Sequence, residues 1–583
     1  MSAHPASYRH QEWVTILIVF SFTFLTTFIG LLLLSWPWFV SWPALKVHAG
    51  YWLDGLMSLV LTHSLQAFID YWDAIIEQGW HWALVTHLAL PALLSLIAAY
   101  RIARHFYVSG GRDGYLHISG PQLYHCGTAL NHARGMTNSE GGPLGLLLHP
   151  KLPISRARES GNILAVGSQG SGKTVFIAPL ISQVIERGER AFIYDEKREF
   201  TALFYKNESC TLIAPWDERG VAWDVQADAR NSTEAQLIAE RLIDETRDPL
   251  WSSGARMIFT GMIEILNHTQ TRWGWCELAA MLSKDETIFH SELELYYPRA
   301  TKFIVENSKT TQSFYAQLLG SLGWIITLAE AWPKAYENGF SVRDWVNNAQ
   351  TDKPIIIVQA DKRYKNIGAP LANTIIAIMT GHILAETNST GRELWLFIDE
   401  LGNLPKNLAL IEWMSLGRSK GCRICAGTQS ISQLKHIYSE QEADTLLNMF
   451  TVFVSMRLGA VGETAIFTAK AFGERVVERP TSSAGPQGNT TQNWHRESLS
   501  LVTATDLVHL PQPDKNGVEG YLLIPGYNAV YHLRWPYTSL PIVSEEHCPA
   551  SWLAVRQTAA LKSNEIEVTD SRRHRLKLRR EAI

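Results

Sequence analysis

The sequence predicts an α/β fold that is built around a mostly parallel β-sheet. One observation is a glycine-rich turn over residues 167–174, which lies between an apolar run at 163–166 and a helical segment at 175–187. A second observation is the apolar run 394–398, which ends in an Asp-Glu pair. Short apolar runs that alternate with helical segments are typical of buried parallel strands joined by crossover helices.

The glycine-rich turn fits the P-loop pattern G-x-x-x-x-G-K-[ST]. Its glycines allow backbone N–H groups to turn towards phosphates, and the following helix adds partial positive charge at its amino end. We expect the Lys side chain to reach the β- and γ-phosphates and the Thr hydroxyl to hold Mg²⁺. The flanking strand and helix disfavour a chance Gly/Ser turn, so ATP is the expected ligand. The predicted binding residues are Gly167, Ser168, Gln169, Gly170, Ser171, Gly172, Lys173 and Thr174.

The Asp-Glu pair bears on whether a bound nucleotide is hydrolysed. Asp399 is predicted to belong to the Mg²⁺ site, and Glu400 is predicted to be the general base that acts on water. A third acidic strand end, Asp195, follows the apolar run 191–194. Because ligands of open α/β sheets collect at the carboxyl ends of strands, Asp195 either lies near the site or is an exposed strand-end carboxylate.

Two apolar segments near the N-terminus predict membrane helices. Residues 14–35 contain no Asp, Glu, Lys or Arg, and as a helix they would span roughly 33 Å, enough to cross a bilayer. A second uncharged segment covers residues 82–100. Trp13, Trp36 and Trp38 flank the first segment as candidate interfacial anchors. A shorter apolar stretch at 56–69 predicts an interfacial or loop helix.

The distribution of charge around these segments predicts their orientation. Arg101, Arg104 and Arg112 follow the second segment, whereas the region between the segments has one cation, Lys46, against four acidic residues. The positive-inside rule places that region in the periplasm, and it places the N-terminus and everything after Arg101 in the cytoplasm. A cleaved signal peptide is the alternative for residues 14–35, and the length of the segment argues against it.

Composition adds little about partners. The chain has 52 basic and 56 acidic residues, so its net charge gives no nucleic-acid signal. Basic residues cluster at 572–580, a segment that either contacts DNA or anionic lipid or is a solvated helix end. The scattered cysteines imply no disulfide framework, and Cys422 and Cys425 lie in an apolar run that predicts core positions.

The middle of the chain predicts an insertion. The next clear strand after Asp195 is 355–358, and this separation is far longer than a βαβ unit needs. Helical periodicity over 232–346 predicts an inserted all-α domain.

Three further features follow the Asp-Glu pair. A strand is predicted over 422–427, and Gln429 after its carboxyl end is placed as a sensor of the γ-phosphate or of water. Polar residues over 476–497 predict a mobile loop. Residues 520–535 predict a strand pair that turns at Pro525-Gly526.

This arrangement resembles the coupling proteins of type IV secretion and conjugation systems, the TraD/TraG-like family. The resemblance covers most of residues 10–540, and it has two departures: Arg198 stands where the family commonly has Gly, and nothing matches after about residue 540. The motifs that carry it are the P-loop, Tyr194-Asp195-Glu196-Lys197, Phe397-Ile398-Asp399-Glu400, Leu416-Gly417-Arg418 and Thr428-Gln429-Ser430.

The resemblance implies a RecA-like P-loop NTPase with the inserted all-α domain and two N-terminal transmembrane helices. It implies a hexameric, DNA-stimulated ATPase of the bacterial inner membrane that passes single-stranded DNA and its relaxase to a secretion channel. Implied partners also include accessory relaxosome proteins and the channel's ATPases and inner-membrane subunits. Arg418 is implied to be an arginine finger that reaches a neighbour's nucleotide, with a surface Arg beside Lys420 as the alternative. The predicted catalytic set is therefore Glu400, Arg418 and Gln429.

These features predict a division of the chain and leave three alternative functions. The rivals are a coupling protein for protein effectors, a septal chromosome translocase, and a membrane receptor that uses ATP only as a switch.

The predicted regions are a membrane domain at 1–106, the nucleotide-binding domain at 107–231 and 347–540, the inserted all-α domain at 232–346, and a basic tail at 541–583.

Overall fold

A computed structural model describes residues 13–35, 45–106, 116–243, 245–246, 248–305, 308–348, 350–386, 393–484 and 490–554. They form two compact units, of which one comprises the chain up to Gly120 together with Glu474–Leu499. The other comprises Pro121–Gly473 and the chain from Ser500 onward. Several predictions lie outside the described residues: the anchors Trp36 and Trp38, the cation Arg112, and the role of 572–580. The predicted domain boundaries stay a proposal.

The regular elements are numbered in chain order. The α-helices are α1 (Trp13–Ser35), α2 (Leu45–Thr62), α3 (Gln66–Glu77), α4 (His81–Phe106), α5 (Cys126–Glu140), α6 (Arg156–Glu159), α7 (Lys173–Glu186), α8 (Glu199–Phe204), α9 (Val225–Asp228), α10 (Ser232–Leu242), α11 (Pro249–Thr269), α12 (Trp275–Leu282), α13 (Glu286–Tyr296), α14 (Lys309–Leu322), α15 (Ile325–Ala331), α16 (Ala335–Asn338), α17 (Val342–Asn347), α18 (Lys365–Ala385), α19 (Leu408–Ser415), α20 (Ile431–Tyr438), α21 (Glu440–Asn448), α22 (Thr464–Phe472) and α23 (Ala504–Val508). The strands are β1 (Leu116–Ser119), β2 (Gln122–His125), β3 (Leu144–His149), β4 (Leu152–Ser155), β5 (Asn162–Val166), β6 (Arg190–Asp195), β7 (Cys210–Ile213), β8 (Ile355–Gln359), β9 (Leu394–Ile398), β10 (Cys422–Thr428), β11 (Phe450–Ser455), β12 (Glu474–Ala484), β13 (Thr490–Ser500), β14 (Val518–Leu523) and β15 (Ala529–Trp535). Short 3₁₀ helices cover Pro298–Phe303, Lys362–Tyr364, Leu401–Asn403 and Gly417–Lys420.

The first unit contains the two helices that the apolar segments predict. Within α1 and α4, Ile16–Ser35 and His81–Arg104 are long and apolar enough to cross a membrane. A third helix of this kind, Asn366–Ala385, lies in the second unit and is largely buried there, so it is a core helix. The unit also holds a three-stranded sheet in the order β1-β12-β13, in which β1 and β12 are antiparallel.

Two local predictions in this unit are wrong. The described residues of 476–497 form strands β12 and β13, because pairing with β1 satisfies backbone groups that a loop would leave to water. The predicted helix over 56–69 is interrupted, since α2 ends at Thr62 and α3 begins at Gln66. His63, between these helices, has a positive φ of 51° that an α-helix does not accommodate.

The second unit is organised around a ten-stranded sheet in the order β2-β15-β14-β11-β5-β10-β9-β6-β8-β7. The strands from β11 to β7 all run parallel, and every residue of β5, β6, β8, β9 and β10 is buried. Burial on both faces explains why these strands appear in the sequence as continuous apolar runs. Strand β10 lies between β5 and β9, so the glycine-rich turn and the Asp-Glu pair are two strands apart.

The insertion is helical, as its periodicity predicts, but the expectation that 355–358 is the next strand after Asp195 is wrong, because the short buried strand β7 comes before it and pairs with β8. Helices α10–α17 lie between Ser232 and Asn347, and their inward residues include Ile238, Phe314 and Leu318, which are buried. Helix α11 has a typical start, with Pro249 in its first turn and Asp248 accepting a hydrogen bond from the Leu250 N–H. The predicted strand pair over 520–535 is confirmed as antiparallel β14 and β15. Cys422 and Cys425 are buried, as expected.

Candidate functional site

The turn at residues 167–174 joins the buried strand β5 to helix α7 at the carboxyl edge of the sheet. Gly170 and Gly172 have positive φ angles of 68° and 94°, which glycine adopts without strain. A Cβ at Gly172 would also lie 2.5 Å from Val518 Cγ2, so the close approach requires glycine there. The 14-residue helix α7 then points its amino end, with its free N–H groups, into this turn.

Lys173 is the buried cation of the turn, with 5% of its surface exposed. Its Nζ donates a hydrogen bond of 2.7 Å to the Gly167 carbonyl and lies 3.9 Å from Glu400 Oε2. Burial holds the pKa of Lys173 below its usual value, and the Glu400 carboxylate opposes that shift. The ammonium group therefore lies close to where a phosphate on the turn would sit.

The Asp-Glu pair and Gln429 meet at the same edge because β9 and β10 are parallel neighbours. The Gln429 N–H donates to Glu400 Oε1 at 3.0 Å. Burial raises the pKa of the Glu400 carboxyl, and both Lys173 and the hydrogen bond from Gln429 oppose the shift. Asp399 is also buried, and its Oδ2 lies 3.6 Å from Lys197 Nζ.

Several buried polar atoms at this edge have no hydrogen-bond partner among the described residues. They are Ser171 Oγ, Asp399 Oδ1 and Glu400 Oε2. Buried polar atoms in native proteins are usually satisfied, so these three are placed to receive a ligand. The Thr174 hydroxyl and the Asp399 carboxylate offer the oxygen ligands that Mg²⁺ prefers, together with phosphate oxygens. The residues present therefore fit a nucleoside triphosphate with Mg²⁺.

The remaining predicted residues are placed as follows. The Ser168 N–H and hydroxyl both donate to the Arg457 carbonyl, at 2.9 and 3.0 Å, and Gln169 is exposed. Asp195 is not an exposed carboxylate: it is 1% exposed and accepts hydrogen bonds from the Thr201 N–H and hydroxyl. Burial raises its pKa to about 6, and those hydrogen bonds oppose the shift. Asp195 thus fixes the start of helix α8.

Arg418 is not brought to this edge within its own chain. It is exposed, and it lies in the 3₁₀ turn Gly417–Lys420, just before the amino end of β10. Gln429 follows the carboxyl end of that seven-residue strand, and a strand rises about 3.3 Å per residue, so the two residues lie on the order of 20 Å apart. Any role for Arg418 in hydrolysis therefore requires a neighbouring chain.

Sequence reasoning noted Glu196, Lys197 and Arg198 only as part of the family resemblance, and it gave the charged residues that follow β6 no role at the site. Lys197 faces Asp399, and Glu199 accepts a hydrogen bond of 3.2 Å from the Thr174 hydroxyl. Burial lowers the pKa of Lys197, but the Asp399 and Glu199 carboxylates outweigh it and hold that pKa above its usual value. The available signal was a run of five charged residues directly after an apolar strand.

Comparison with known proteins places this site in a family. A family model described as the type IV secretion-system coupling protein DNA-binding domain matches residues 146–534, more than half of the chain. The chain belongs to the type IV secretion-system coupling protein family. The resemblance inferred from the sequence motifs is therefore confirmed.

Individual relatives of this coupling protein agree with that assignment. Coupling protein TraD of Escherichia coli (strain K12) is 26% identical over 412 residues, which cover 68% of this chain and 56% of TraD. The match thus spans little more than half the length of TraD.

Solved structures show the same fold at low identity. The bacterial conjugative coupling protein TrwBΔN70 in its unbound monoclinic form is 21% identical, with a TM-score of 0.62, and the match covers 74% of this chain and 96% of TrwBΔN70. Plasmid coupling protein TrwB in complex with ADP and Mg²⁺ is also 21% identical, with a TM-score of 0.61 and coverages of 74% and 98%. This likeness confirms the predicted fold, a RecA-like P-loop NTPase with an inserted all-α domain.

Proposed function

We propose that this chain is a hexameric inner-membrane ATPase that couples a relaxase–DNA complex to a type IV secretion channel. The observation that carries the proposal is the convergence of Lys173, Asp399, Glu400 and Gln429 at one edge of a coupling-protein sheet. The proposed ligands are ATP and Mg²⁺, and TrwB structures in complex with ADP and Mg²⁺ or with an ATP analogue support them.

The chemistry follows from what each side chain can reach. The backbone N–H groups of residues 167–174 and the Lys173 ammonium would bind phosphate oxygens, and Thr174 and Asp399 would hold Mg²⁺. Mg²⁺, when bound, would neutralise charge that develops on the phosphates. Glu400 would accept a proton from the attacking water, and Gln429, which hydrogen-bonds Glu400, would orient that water.

In the proposed hexamer, a neighbouring chain would supply the arginine side chain that a single chain does not bring to its own nucleotide site. Because Arg418 lies at the opposite end of β10 from Gln429, we place it against the nucleotide of a neighbouring chain. There its guanidinium would stabilise the charge of the transition state as an arginine finger.

The two apolar helices anchor the protein and set its topology. We propose that α1 and α4 both span the inner membrane, with the region between them in the periplasm and the ATPase unit in the cytoplasm. A reporter fused within residues 45–77 should be active only in the periplasm, and one fused near residue 120 only in the cytoplasm. The opposite pattern would reject this topology.

The remaining candidate functions differ in the cargo that the chain binds and in whether the chain hydrolyses ATP. The purified full chain should hydrolyse ATP with Mg²⁺, and single-stranded DNA should increase the rate. Hydrolysis that ignores DNA, together with recovery of protein effectors bound to the chain, would favour an effector coupling protein. Nucleotide binding without turnover would favour a receptor switched by ATP, and would reject the motor.

A further inference from the structure

The charged segment Glu196–Lys197–Arg198–Glu199 lies beside both side chains that are placed to bind Mg²⁺. It follows strand β6, whose parallel neighbour is β9, with Tyr194 opposite Ile398. The residues after β6 are therefore next to Asp399. We call residues 196–199 the β6 loop.

The first contact of the β6 loop is with Asp399. Lys197 Nζ lies 3.6 Å from Asp399 Oδ2, while Asp399 itself is 3% exposed. A buried carboxylate without a compensating charge is strongly unfavourable. The Lys197 ammonium thus compensates the charge of Asp399 across this contact.

The second contact of the β6 loop is with Thr174. The Thr174 hydroxyl donates a hydrogen bond of 3.2 Å to Glu199 Oε2. A hydroxyl has one O–H donor and two oxygen lone pairs, so Thr174 can donate to Glu199 while a lone pair faces Mg²⁺. One four-residue loop therefore engages both proposed Mg²⁺ ligands at once.

The backbone of the β6 loop is fixed in a shape that allows both contacts. Arg198 has a left-handed φ of 68°, which is uncommon for a residue with a side chain. Its guanidinium forms an ion pair with the buried Asp361, which follows β8. Asp195 and Thr201 secure the two ends of the loop, and Glu196 accepts a short hydrogen bond from the Asn403 side chain.

We propose that Lys197 and Glu199 are positioning residues of the Mg²⁺ site: Lys197 compensates Asp399 until Mg²⁺ binds with the nucleotide and displaces it, and Glu199 orients the Thr174 hydroxyl. Lys197 is the stand-in for the metal cation, since an ammonium and Mg²⁺ repel each other when they share one carboxylate. Displacement of Lys197 removes one contact of the β6 loop, while Arg198 and Glu196 keep theirs with Asp361 and Asn403. This inference rests on the proposed ATPase function.

The test measures nucleotide affinity as a function of Mg²⁺ concentration, in the purified full chain, with a fluorescent ADP analogue. Lys197→Gln removes the competing cation. The Mg²⁺ concentration that gives half of the maximal increase in nucleotide affinity should therefore fall about five-fold, which corresponds to the energy of a partly exposed ion pair. Affinity in excess EDTA should stay within about two-fold of wild type, because Lys197 does not contact phosphate in this account.

A matched control separates this contact from a general effect of charge. Lys362→Gln removes an exposed cation that follows β8 at the same edge and is not paired with Asp399 in the described structure. It should leave the Mg²⁺ requirement unchanged.

Three results would contradict the proposed role of Lys197, and a fourth would contradict the proposed ATPase function. If Lys197→Gln weakens binding equally with and without Mg²⁺, Lys197 is a phosphate ligand and the stand-in role is wrong. Equal shifts for Lys197→Gln and Lys362→Gln, or no shift for Lys197→Gln, overturn it as well. A wild-type chain whose nucleotide affinity is insensitive to Mg²⁺ would instead overturn the proposed function.

Discussion

The amino and carboxyl ends of strands β5, β6, β9 and β10 both carry buried charge, but they arrange it differently. At the amino ends, three cations and three carboxylates form a cluster in which each has a partner of opposite sign within 4 Å, and the nearby Arg190 donates to the Trp345 and Val346 carbonyls. This amino-end cluster consists of Arg156, Arg187, Arg423, Glu159, Glu189 and Glu393. At the carboxyl ends, the ion pairs of Lys173 and Lys197 are long, at 3.9 and 3.6 Å.

The two ends also differ in how closely their groups approach. Within the amino-end cluster, Glu159 is fully buried and lies 2.6 Å from Arg156 and 2.8 Å from Arg187. Among the residues that the structure describes, buried polar atoms without a hydrogen-bond partner occur at both ends, in Ser171, Asp399 and Glu400 at the carboxyl ends and in Arg423 and Glu393 at the amino ends. Charges that satisfy one another stabilise the fold, whereas unsatisfied groups lower its stability until a ligand arrives. The close ion pairs at 2.6–2.8 Å therefore favour a structural role for the amino ends, whereas the carboxyl ends carry the proposed functional site.

The largest expected effect concerns Arg418, the proposed catalytic residue that lies at the amino ends of the strands rather than at their carboxyl ends. Arg418→Ala should reduce ATP turnover by about 10³–10⁵, the range for arginine fingers in other NTPases. Mixing Arg418→Ala with Lys173→Ala chains should restore part of the activity, because one chain supplies the finger and the other the P-loop. Phosphate release from mixtures that are shown to co-assemble measures this. Absence of recovery would confine each site to a single chain.

The amino-end cluster should respond through stability. Glu159 forms ion pairs with both Arg156 and Arg187, and Glu159→Gln removes its negative charge. Removal of one partner from a buried ion pair lowers the free energy of unfolding by about 3–5 kcal/mol. Denaturant unfolding of the purified chain measures the loss, and nucleotide affinity without denaturant should not change. Glu337→Gln is the matched control, since Glu337 pairs with Lys334 on the surface, and it should cost less than about 0.5 kcal/mol. Equal effects would erase the distinction between a buried cluster and a surface pair.

The smallest expected effect tests backbone strain at the carboxyl ends. Arg198 combines a left-handed φ with an ion pair to Asp361. Arg198→Gly relieves the strain and loses the pair, so stability should change by less than about 1 kcal/mol, whereas Arg198→Ala keeps the strain and should be about 1 kcal/mol less stable than the Gly variant. Thermal unfolding of both variants measures the difference. Identical stabilities would show that no strain is stored there.

Prediction from sequence succeeded where the signal is local. The strand, turn and helix around residues 167–174 have compact signatures, and Asp399-Glu400 follows a run that burial keeps entirely apolar. The inserted helices are predictable because their 3.6-residue periodicity extends over many turns. Local patterns of this kind are enough to predict the main parts of the site, while the roles of the individual residues stay predictions.

Most of the misses have one physical cause, which is pairing between distant parts of the chain, although the break in the helix at 56–69 is local. Lys197 meets Asp399 because β6 and β9 are neighbours, and nothing in the spacing of these residues along the chain indicates that. The error at 476–497 is similar, because polar strands β12 and β13 depend on a sheet that includes β1. The sequence does not decide the position of Asp195 either, since Asp195 is buried at the end of β6, which lies between β8 and β9 in the sheet.

We propose that Glu400 at the carboxyl end serves hydrolysis, while Glu159 at the amino end serves stability. The most direct measurement compares Glu400→Gln with Glu159→Gln for turnover, nucleotide affinity and unfolding in one set of conditions. Glu400→Gln should lower turnover by about 10²–10⁴, because a general base contributes on that scale, and should keep both nucleotide affinity and stability. A Glu400→Gln chain that hydrolyses ATP at the wild-type rate, or that loses stability as Glu159→Gln does, would contradict the account.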